Sequence, residues 1–287
     1  MKQPPLVRTI SDLQKIVNDW HKNGNTIGLV PTMGALHKGH LSLVDTISAQ
    51  TNKVITTIFV NPTQFGEGED LSVYPRQLEQ DLQALSTTKC DLVFAPSANE
   101  IYPDGFATTV TLKGLSDSLE GVNRPGHFDG VATVVTKLFM ISRCDSAIFG
   151  EKDYQQLCVI RRFVKDLNLG VTILAGPTIR EEDGLAFSSR NVYLSPAQRK
   201  IAGQLNKILR AAIEKAKAGD DLRTLEDWAT KACLTAGFDQ VDYMTIADAE
   251  TLQPLNELSS FEKARIVTVA RLGKVRLLDN MGFAVSV

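Results

Sequence analysis

Ile27-Gly28-Leu29-Val30-Pro31-Thr32-Met33-Gly34-Ala35-Leu36-His37-Lys38-Gly39-His40 decides how the first half of this chain folds. The apolar run Ile27 to Val30 reads as a buried strand that enters a glycine-containing turn. From His40 to Gln50, the residues Leu41, Val44 and Ile47 recur at helical spacing. Lys53 to Val60 is rich in β-branched residues and reads as the next strand. Strand, crossover helix and strand in that order predict two parallel strands joined in the right-handed sense.

The same alternation extends on both sides. Ser11 to Lys22 reads as a first helix with Ser11 as cap, ended by Asn23-Gly24-Asn25. Helices are expected at Arg76–Ser86, Asp129–Ile141 and Tyr154–Leu167. Strands are expected at Asp91–Ala95, Ala147–Phe149 and Val171–Ala175, with a further β-rich piece at Thr108–Leu112. This is the signature of an α/β fold built on an open parallel sheet. After about Asn191 the character changes. Ser195-Pro196 opens a long helix to about Ala218, and Leu222–Ala236 is a second helix ending at Gly237. Gln240–Ala247, Ala264–Leu272 and Val275–Leu278 then read as strands. We therefore expect an α/β domain over 1–178 and a smaller α+β domain over 179–287.

The 287 residues carry a formal net charge of −2, so no global field favours nucleic acid or an acidic membrane. Cys90, Cys144, Cys158 and Cys233 show no C-x-x-C spacing and read as reduced packing residues, as expected for a cytoplasmic protein. Met1 to Ile10 lacks the apolar stretch of a signal peptide, and no run approaches the roughly 20 residues of a membrane span.

Ligands of doubly wound sheets bind beyond the carboxyl ends of the strands. The residues following the expected strands are Thr32, Met33, His37 and His40, then Asn61, Thr63 and Gln64. Further along come Gly150, Glu151, Lys152, Asp153, Gln155 and Gln156, then Ile179, Arg180, Phe187, Ser188, Ser189, Arg190 and Asn191. His37 and His40 are three residues apart at a helix start, which puts both rings on one face beside orphan N–H groups. That suits an anion such as a triphosphate, although such histidines also serve as plain donors to local carbonyls. Lys152 reads either as a site cation or as an ion-pair partner of Glu151 or Asp153. Gln64 and Gln156 either brace loops or grip a hydroxyl and a carboxylate together. His21 reads as a cap or surface residue. His127, in Arg124-Pro125-Gly126-His127-Phe128-Asp129-Gly130, reads as part of a covering loop or as a structural residue.

Five stretches together, Pro31–His40, Phe59–Phe65, Arg124–Gly130, Gly150–Leu157 and Pro177–Asn191, resemble the pantothenate synthetase (pantoate–β-alanine ligase) family. The first alone resembles the wider nucleotidyltransferases with an H-x-G-H motif. The resemblance implies a Rossmann-like N-terminal domain, a smaller C-terminal domain closing over the site from a hinge near Arg180 to Gly184, and a homodimer. It assigns Met33, Gly34, Ala35, Leu36, His37, Lys38, Gly39 and His40 to ATP, together with Gly150, Glu151, Lys152, Asp153, Ile179, Phe187, Ser188, Ser189 and Arg190. His40 matches the family's proton donor, and His37, Lys152 and Arg190 complete the catalytic group. Gln64 matches the glutamine between pantoate and β-alanine, and Gln156 a second pantoate ligand. Mg²⁺ is expected with the ATP, with Asp153 as a candidate contact. Thr63 and Phe187 stand where methionine is common in the family, which touches the packing of the substrates and not the reaction. The implied chemistry is ATP-dependent condensation of pantoate with β-alanine through pantoyl adenylate. Two rivals remain at this level: a nucleotidyltransferase acting on a phosphorylated acceptor, and a non-catalytic nucleotide sensor.

Overall fold

The computed structural model describes residues 2–258 and 263–284. By its contacts the chain divides into two compact units, Met1–Glu151 with Gln156–Pro177, and Lys152–Gln155 with Thr178–Val287.

The first unit runs β1 (Leu6–Val7), α1 (Ile10–Lys22), β2 (Ile27–Thr32), α2 (Lys38–Ser48), β3 (Lys53–Ile58), α3 (Leu78–Leu85), β4 (Leu92–Phe94), α4 (Ala98–Ile101), α5 (Glu120–Asn123), α6 (His127–Ser142), β5 (Ser146–Gly150), α7 (Tyr154–Asp166) and β6 (Thr172–Gly176). The first two residues of α7 group with the second unit. The six strands form one sheet in the order β1-β4-β3-β2-β5-β6, and every pair is parallel. A parallel sheet covered on both faces calls for continuous apolar strands. Accordingly Ile27, Leu29, Val30, Val54, Ile55, Val93, Phe94 and Ile148 are all buried. Helix α2 adds Leu43, Val44 and Ile47 to this core. Full burial of a side chain such as Ile47 stabilises the fold by about 1.5–3 kcal/mol.

Gly28 sets how closely α2 approaches the sheet. A Cβ there would lie 2.6 Å from Thr51 Oγ1 and 2.7 Å from Ile47 Cγ1, so any side chain would push the helix outward. The contact holds the last turn of α2 against the start of β2, and the helix runs from there back to its first turn with His37 and His40. From β2 the order proceeds one way through β3 and β4 and the other way through β5 and β6. The carboxyl ends of β2 and β5 therefore flank the topological switch point, where α/β sheets bind ligands.

The second unit contains α8 (Pro196–Ala202), α9 (Gln204–Lys217), α10 (Leu222–Ala236), β7 (Gln240–Asp248), β8 (Lys263–Leu272) and β9 (Val275–Ala284). The three strands form an antiparallel sheet in the order β7-β8-β9. Leu205, Leu209 and Ala212 of α9 and Leu222, Leu225 and Ala229 of α10 share a core with Ile246, Ile266 and Ala270 of the sheet. An α/β unit followed by a smaller α+β unit is the expected fold class.

Some local expectations are corrected. Thr9 caps α1 instead of Ser11, its Oγ1 accepting from the Asp12 N–H at 3.1 Å. Thr108–Leu112 forms no strand, because the Val110 N–H donates to Thr133 Oγ1 of α6 at 2.9 Å instead of to a neighbouring strand. The long helix after Ser195 is two helices, broken at Gly203, where the Asp183 carboxylate packs so close that a Cβ would lie 2.5 Å from its Oδ2. Strand β9 continues past Leu278 to Ala284. The Arg180–Gly184 segment lies within the second unit, where Arg180 donates to Gly184 O at 3.0 Å and pairs with Asp279.

Candidate active site

In the first unit the turn after β2 is held from below. Gly34 has φ +83° and Ala35 has φ +51°, a left-handed conformation that is unusual for alanine. The buried Asp81 carboxylate accepts from Ala35 N–H at 3.0 Å and Leu36 N–H at 2.8 Å. Burial pushes the Asp81 carboxyl above the ordinary carboxylate range, while those two donors pull against the shift. The Gly34 N–H donates to Thr32 Oγ1 at 3.2 Å, and Thr32 Oγ1 donates in turn to Thr57 O at 2.6 Å. This turn delivers the chain to α2 with His37 as N-cap and His40 in the first turn.

The His37 N–H donates to His40 Nδ1 at 3.3 Å, and the two rings lie 4.0 Å apart between centroids, tilted by 31°. An accepting Nδ1 places the proton of the neutral His40 ring on Nε2. His40 therefore offers an N–H donor next to the backbone N–H groups of a helix start, the setting in which an anion is held. Lys38, the first residue of α2, points into solvent.

Gln64 lies in the short 3₁₀ turn Pro62–Gln64 after β3. Its Oε1 accepts from Asn61 Nδ2 at 3.0 Å, and its Nε2 donates to Met33 Sδ at 3.2 Å. Asn61 Nδ2 also donates to Gly130 O at 3.1 Å, and Asn61 Oδ1 accepts from Tyr102 OH at 2.8 Å. The Gly130 carbonyl accepts and the tyrosine hydroxyl donates, so the orientation of both amides is fixed. Sulfur is a weak acceptor, which leaves the Gln64 N–H groups free to prefer a better one. The residues predicted after β2 and after β3 are thus brought together at Met33 and Gln64.

Gln64 is also held by its backbone. His127 Nδ1 donates to Gln64 O at 2.8 Å, and Arg124 Nη2 reaches the same oxygen at 3.2 Å. Arg124 is gripped by Glu69, at 2.7 Å from both Nε and Nη2, and its Nη1 stands 3.0 Å from His127 Nε2. At Gly130 a Cβ would lie 2.4 Å from Thr63 O, so only glycine lets α6 approach this turn. Of the two readings open for His127, the structure selects the structural one: it is buried and braces the Gln64 backbone.

Burial first, and then the neighbouring guanidinium of Arg124, push His127 down to about 4. The unfolded chain takes up this proton near the ordinary histidine pKa, and the folded chain only near pH 4. The stability this residue contributes is therefore complete above pH 6.5 and is lost as the pH falls toward 4. Between pH 7 and pH 5 the loss is about 2 kcal/mol. Urea unfolding of wild type and His127→Asn at both pH values checks this. A wild-type slope no steeper than that of the variant contradicts it.

In the second unit, Lys152 and Asp153 form the 3₁₀ turn Glu151–Asp153, which begins with Glu151 of the first unit directly after Gly150 at the end of β5. Lys152 Nζ lies 3.5 Å from Asp153 Oδ1, and Lys152 is far less exposed than Asp153. Ile179 and Phe187 face each other across a narrow ladder, with the Phe187 N–H donating to Ile179 O at 3.0 Å and Arg180 bridged to Ala186. Ser188 caps the 3₁₀ turn Ser189–Tyr193, its Oγ accepting from the Arg190 N–H at 3.3 Å. The residues predicted from Ile179 to Arg190 thus belong to one compact loop. Gln156 is half-buried on α7 in the first unit.

Among the described residues no cluster of three His, Cys, Asp or Glu side chains could hold a metal. Asp153 offers one carboxylate beside an ammonium, which is not a protein-built metal site. The four cysteines form no disulfide, and burial pushes Cys144 up to about 12 and Cys233 up to about 11, so both are neutral thiols at pH 7. His21 Nε2 lies 3.1 Å from Arg143 O. No helix among the described residues is long and apolar enough to cross a membrane.

Sequence reasoning did not identify Asp81, Glu69 or Tyr102. Asp81 left a trace: it falls three residues after Leu78 and one before Leu82, on the apolar face of α3, where an unpaired carboxylate has no reason to be.

A parallel sheet with histidines at the helix start after its central strand, and an amide turn at the next strand end, is the arrangement of an α/β protein with an anion-binding site at its switch point. The model of the pantoate–β-alanine ligase family matches residues 5–282. The chain is 51% identical over 277 residues to the pantothenate synthetase of Paramagnetospirillum magneticum, covering 96% of this chain and 97% of that one. It is 49% identical over 278 residues to that of Ruegeria sp. strain TM1040, covering 97% and 99%. The crystal structure of pantothenate synthetase from Thermus thermophilus superposes with a TM-score of 0.91 at 45% identity, covering 96% and 98%. That of the Francisella tularensis ligase, complexed with β-γ ATP and β-alanine, gives 0.82 at 38%, covering 97% of each chain. The chain belongs to the pantoate–β-alanine ligase family.

Proposed function

We propose that this chain makes pantothenate from pantoate, β-alanine and ATP in two steps. The overall condensation follows from the family. In the first step the pantoate carboxylate attacks the α-phosphorus of ATP, forming pantoyl adenylate and releasing pyrophosphate. In the second, the amine of β-alanine attacks the activated carbonyl and AMP leaves. No side-chain nucleophile is needed, so the site's work is alignment and stabilisation of developing charge.

His37 and His40, with the N–H groups at the start of α2, are proposed to hold phosphate oxygens, the His40 Nε2–H being the donor that strengthens as pyrophosphate departs. Lys152, Ser188, Ser189 and Arg190 are proposed to complete the triphosphate clamp, with Met33–Leu36, Gly150, Glu151, Ile179 and Phe187 as walls around the nucleotide. Mg²⁺ is proposed to arrive on the ATP phosphates, with Asp153 as no more than a single contact. Gln64 is proposed to orient pantoate and β-alanine, and Gln156 pantoate. A homodimer, a cytoplasmic location and closure of the second unit during turnover complete the proposal. The homodimer and the closure rest on the family resemblance, and the location on the scattered cysteines.

The observation that carries the site reading is the Gln64 amide. It is buried, fixed in orientation through Asn61 and set against Met33 of the nucleotide turn. An amide braced this heavily presents its remaining donors in one direction, as a hydroxy acid requires. We expect Gln64→Ala to raise the pantoate KM at least about tenfold at saturating ATP, the scale of one or two lost hydrogen bonds. An unchanged KM removes Gln64 from the pantoate site. The activity itself is tested by mixing ATP, Mg²⁺, pantoate and β-alanine and detecting AMP and pantothenate by mass spectrometry. Pyrophosphate release with pantoate alone tests the adenylate, and release only with a phosphorylated acceptor favours the rival nucleotidyltransferase.

A further inference from the structure

Two adjacent polar residues of β9, Asp279 and Asn280, are both buried in the second unit, at 2% and 4% exposure. Buried polar groups of this kind need partners, and theirs lead to one place. Arg180 donates to Asp279 from Nη1 at 2.7 Å and from Nη2 at 2.8 Å, a bidentate pair. Asp279 Oδ1 also accepts from the Asn280 N–H at 2.7 Å, and Arg180 Nη2 reaches Asn280 O at 3.3 Å. The backbone of Asn280 is thus clamped. Its side chain points at the turn that carries Lys152: Nδ2 donates to Lys152 O at 2.8 Å, and Oδ1 accepts from Arg265 Nη1.

Arg265 serves the same segment. Its guanidinium lies 3.5 Å over the ring of Tyr154, and Tyr154 OH donates to Ala249 O at 2.8 Å. Gly282 gives that guanidinium its room, since a Cβ there would lie 2.9 Å from Arg265 Nη2. Lys152 and Tyr154 are both tied to the three-stranded sheet, one through its carbonyl and one through its ring and hydroxyl. This explains why Lys152–Gln155 group with the second unit although they directly follow a strand of the first.

We infer that Asn280 is a positioning residue for Lys152: by pinning the Lys152 carbonyl, it fixes where the ε-ammonium stands during adenylation. The lysine ammonium stands at the end of a four-carbon stem, so a displacement or tilt of its backbone is carried out to the charge. Displacement by about 1 Å from a productive geometry costs up to about a hundredfold in rate. The inference rests on the proposed role of Lys152 at the triphosphate.

Asn280→Asp tests it, because the carboxylate still accepts from Arg265 but turns an oxygen toward the Lys152 carbonyl. The expected result is single-turnover pyrophosphate release slowed at least about tenfold, with ATP affinity changed less than the rate. In a Lys152→Ala background, Asn280→Asp is expected to add no more than about a twofold loss, since a residue acting through Lys152 has nothing left to position. Should the aspartate variant melt below the assay temperature, Asn280→Ala, which removes the same donor without adding charge, carries both comparisons. Wild-type release rates in the Asn280 variant overturn the inference. So does an equal loss with and without Lys152, which makes Asn280 a general support of the fold. If Lys152→Ala alone releases pyrophosphate at the wild-type rate, it is the reading of Lys152 that fails.

Discussion

His40→Ala is expected to slow adenylate formation by at least about a hundredfold, the usual cost of removing a preorganised donor aimed at developing negative charge. The proposed role requires a donor at Nε2, and the His37 N–H on Nδ1 supplies the tautomer that provides one. The same bond creates a second reading. By accepting the His37 N–H from the third position of α2, His40 also acts as the reciprocal member of a helix cap, and loss of a cap costs about 0.5–2 kcal/mol of stability. His40→Gln separates the two. Glutamine is a natural residue at that position of a capping box and restores the acceptor, yet it offers no imidazole. The expected outcome is a His40→Gln protein that melts close to wild type and remains about as slow as His40→Ala in single-turnover pyrophosphate release. Recovery of the rate by glutamine would reduce His40 to a helix cap.

Lys152→Ala is the second large effect, again at least about a hundredfold on adenylation. In the proposed adenylation, charge grows on the α-phosphate and the departing pyrophosphate, so a cation placed there acts more on the transition state than on bound ATP. We therefore expect kcat to fall much further than the affinity for ATP. Lys152 Nζ stands 3.5 Å from Asp153 Oδ1, which admits a plain surface ion pair. Exposed pairs of that sort are worth about 0–1 kcal/mol and leave catalysis untouched. Asp153→Asn is the matching control: it breaks the pair and leaves the ammonium. A normal adenylation rate in Lys152→Ala returns the residue to the ion-pair reading.

Much of the molecule is legible along the chain because its signals are local. The apolar run Ile27–Val30 and the β-branched run Lys53–Val60 locate β2 and β3, and α2 reads from the spacing of Leu41, Val44 and Ile47. At one place where local signals misled, a distant group had taken over the backbone. Thr108–Leu112 has strand composition, but Thr133 captures the Val110 N–H. The helix after Ser195 breaks at Gly203, a residue against which the Asp183 carboxylate packs closely.

The site divides in the same way. The sequence alone determined which chemical groups follow the strands: the two histidines, the glutamines, Lys152 and Ser188-Ser189-Arg190, because strand ends are set by short-range pattern and ligand groups by residue type. Only the tertiary structure decided what holds those groups in place. Asp81 sits under the Ala35–Leu36 turn from 45 or more residues away. His127 and Arg124 grip the Gln64 backbone, and Asn280 reaches Lys152 across 128 residues. Such partners leave no local periodicity, because a hydrogen bond to a backbone carbonyl is satisfied by whichever donor the fold brings within about 3 Å, whatever its distance along the chain.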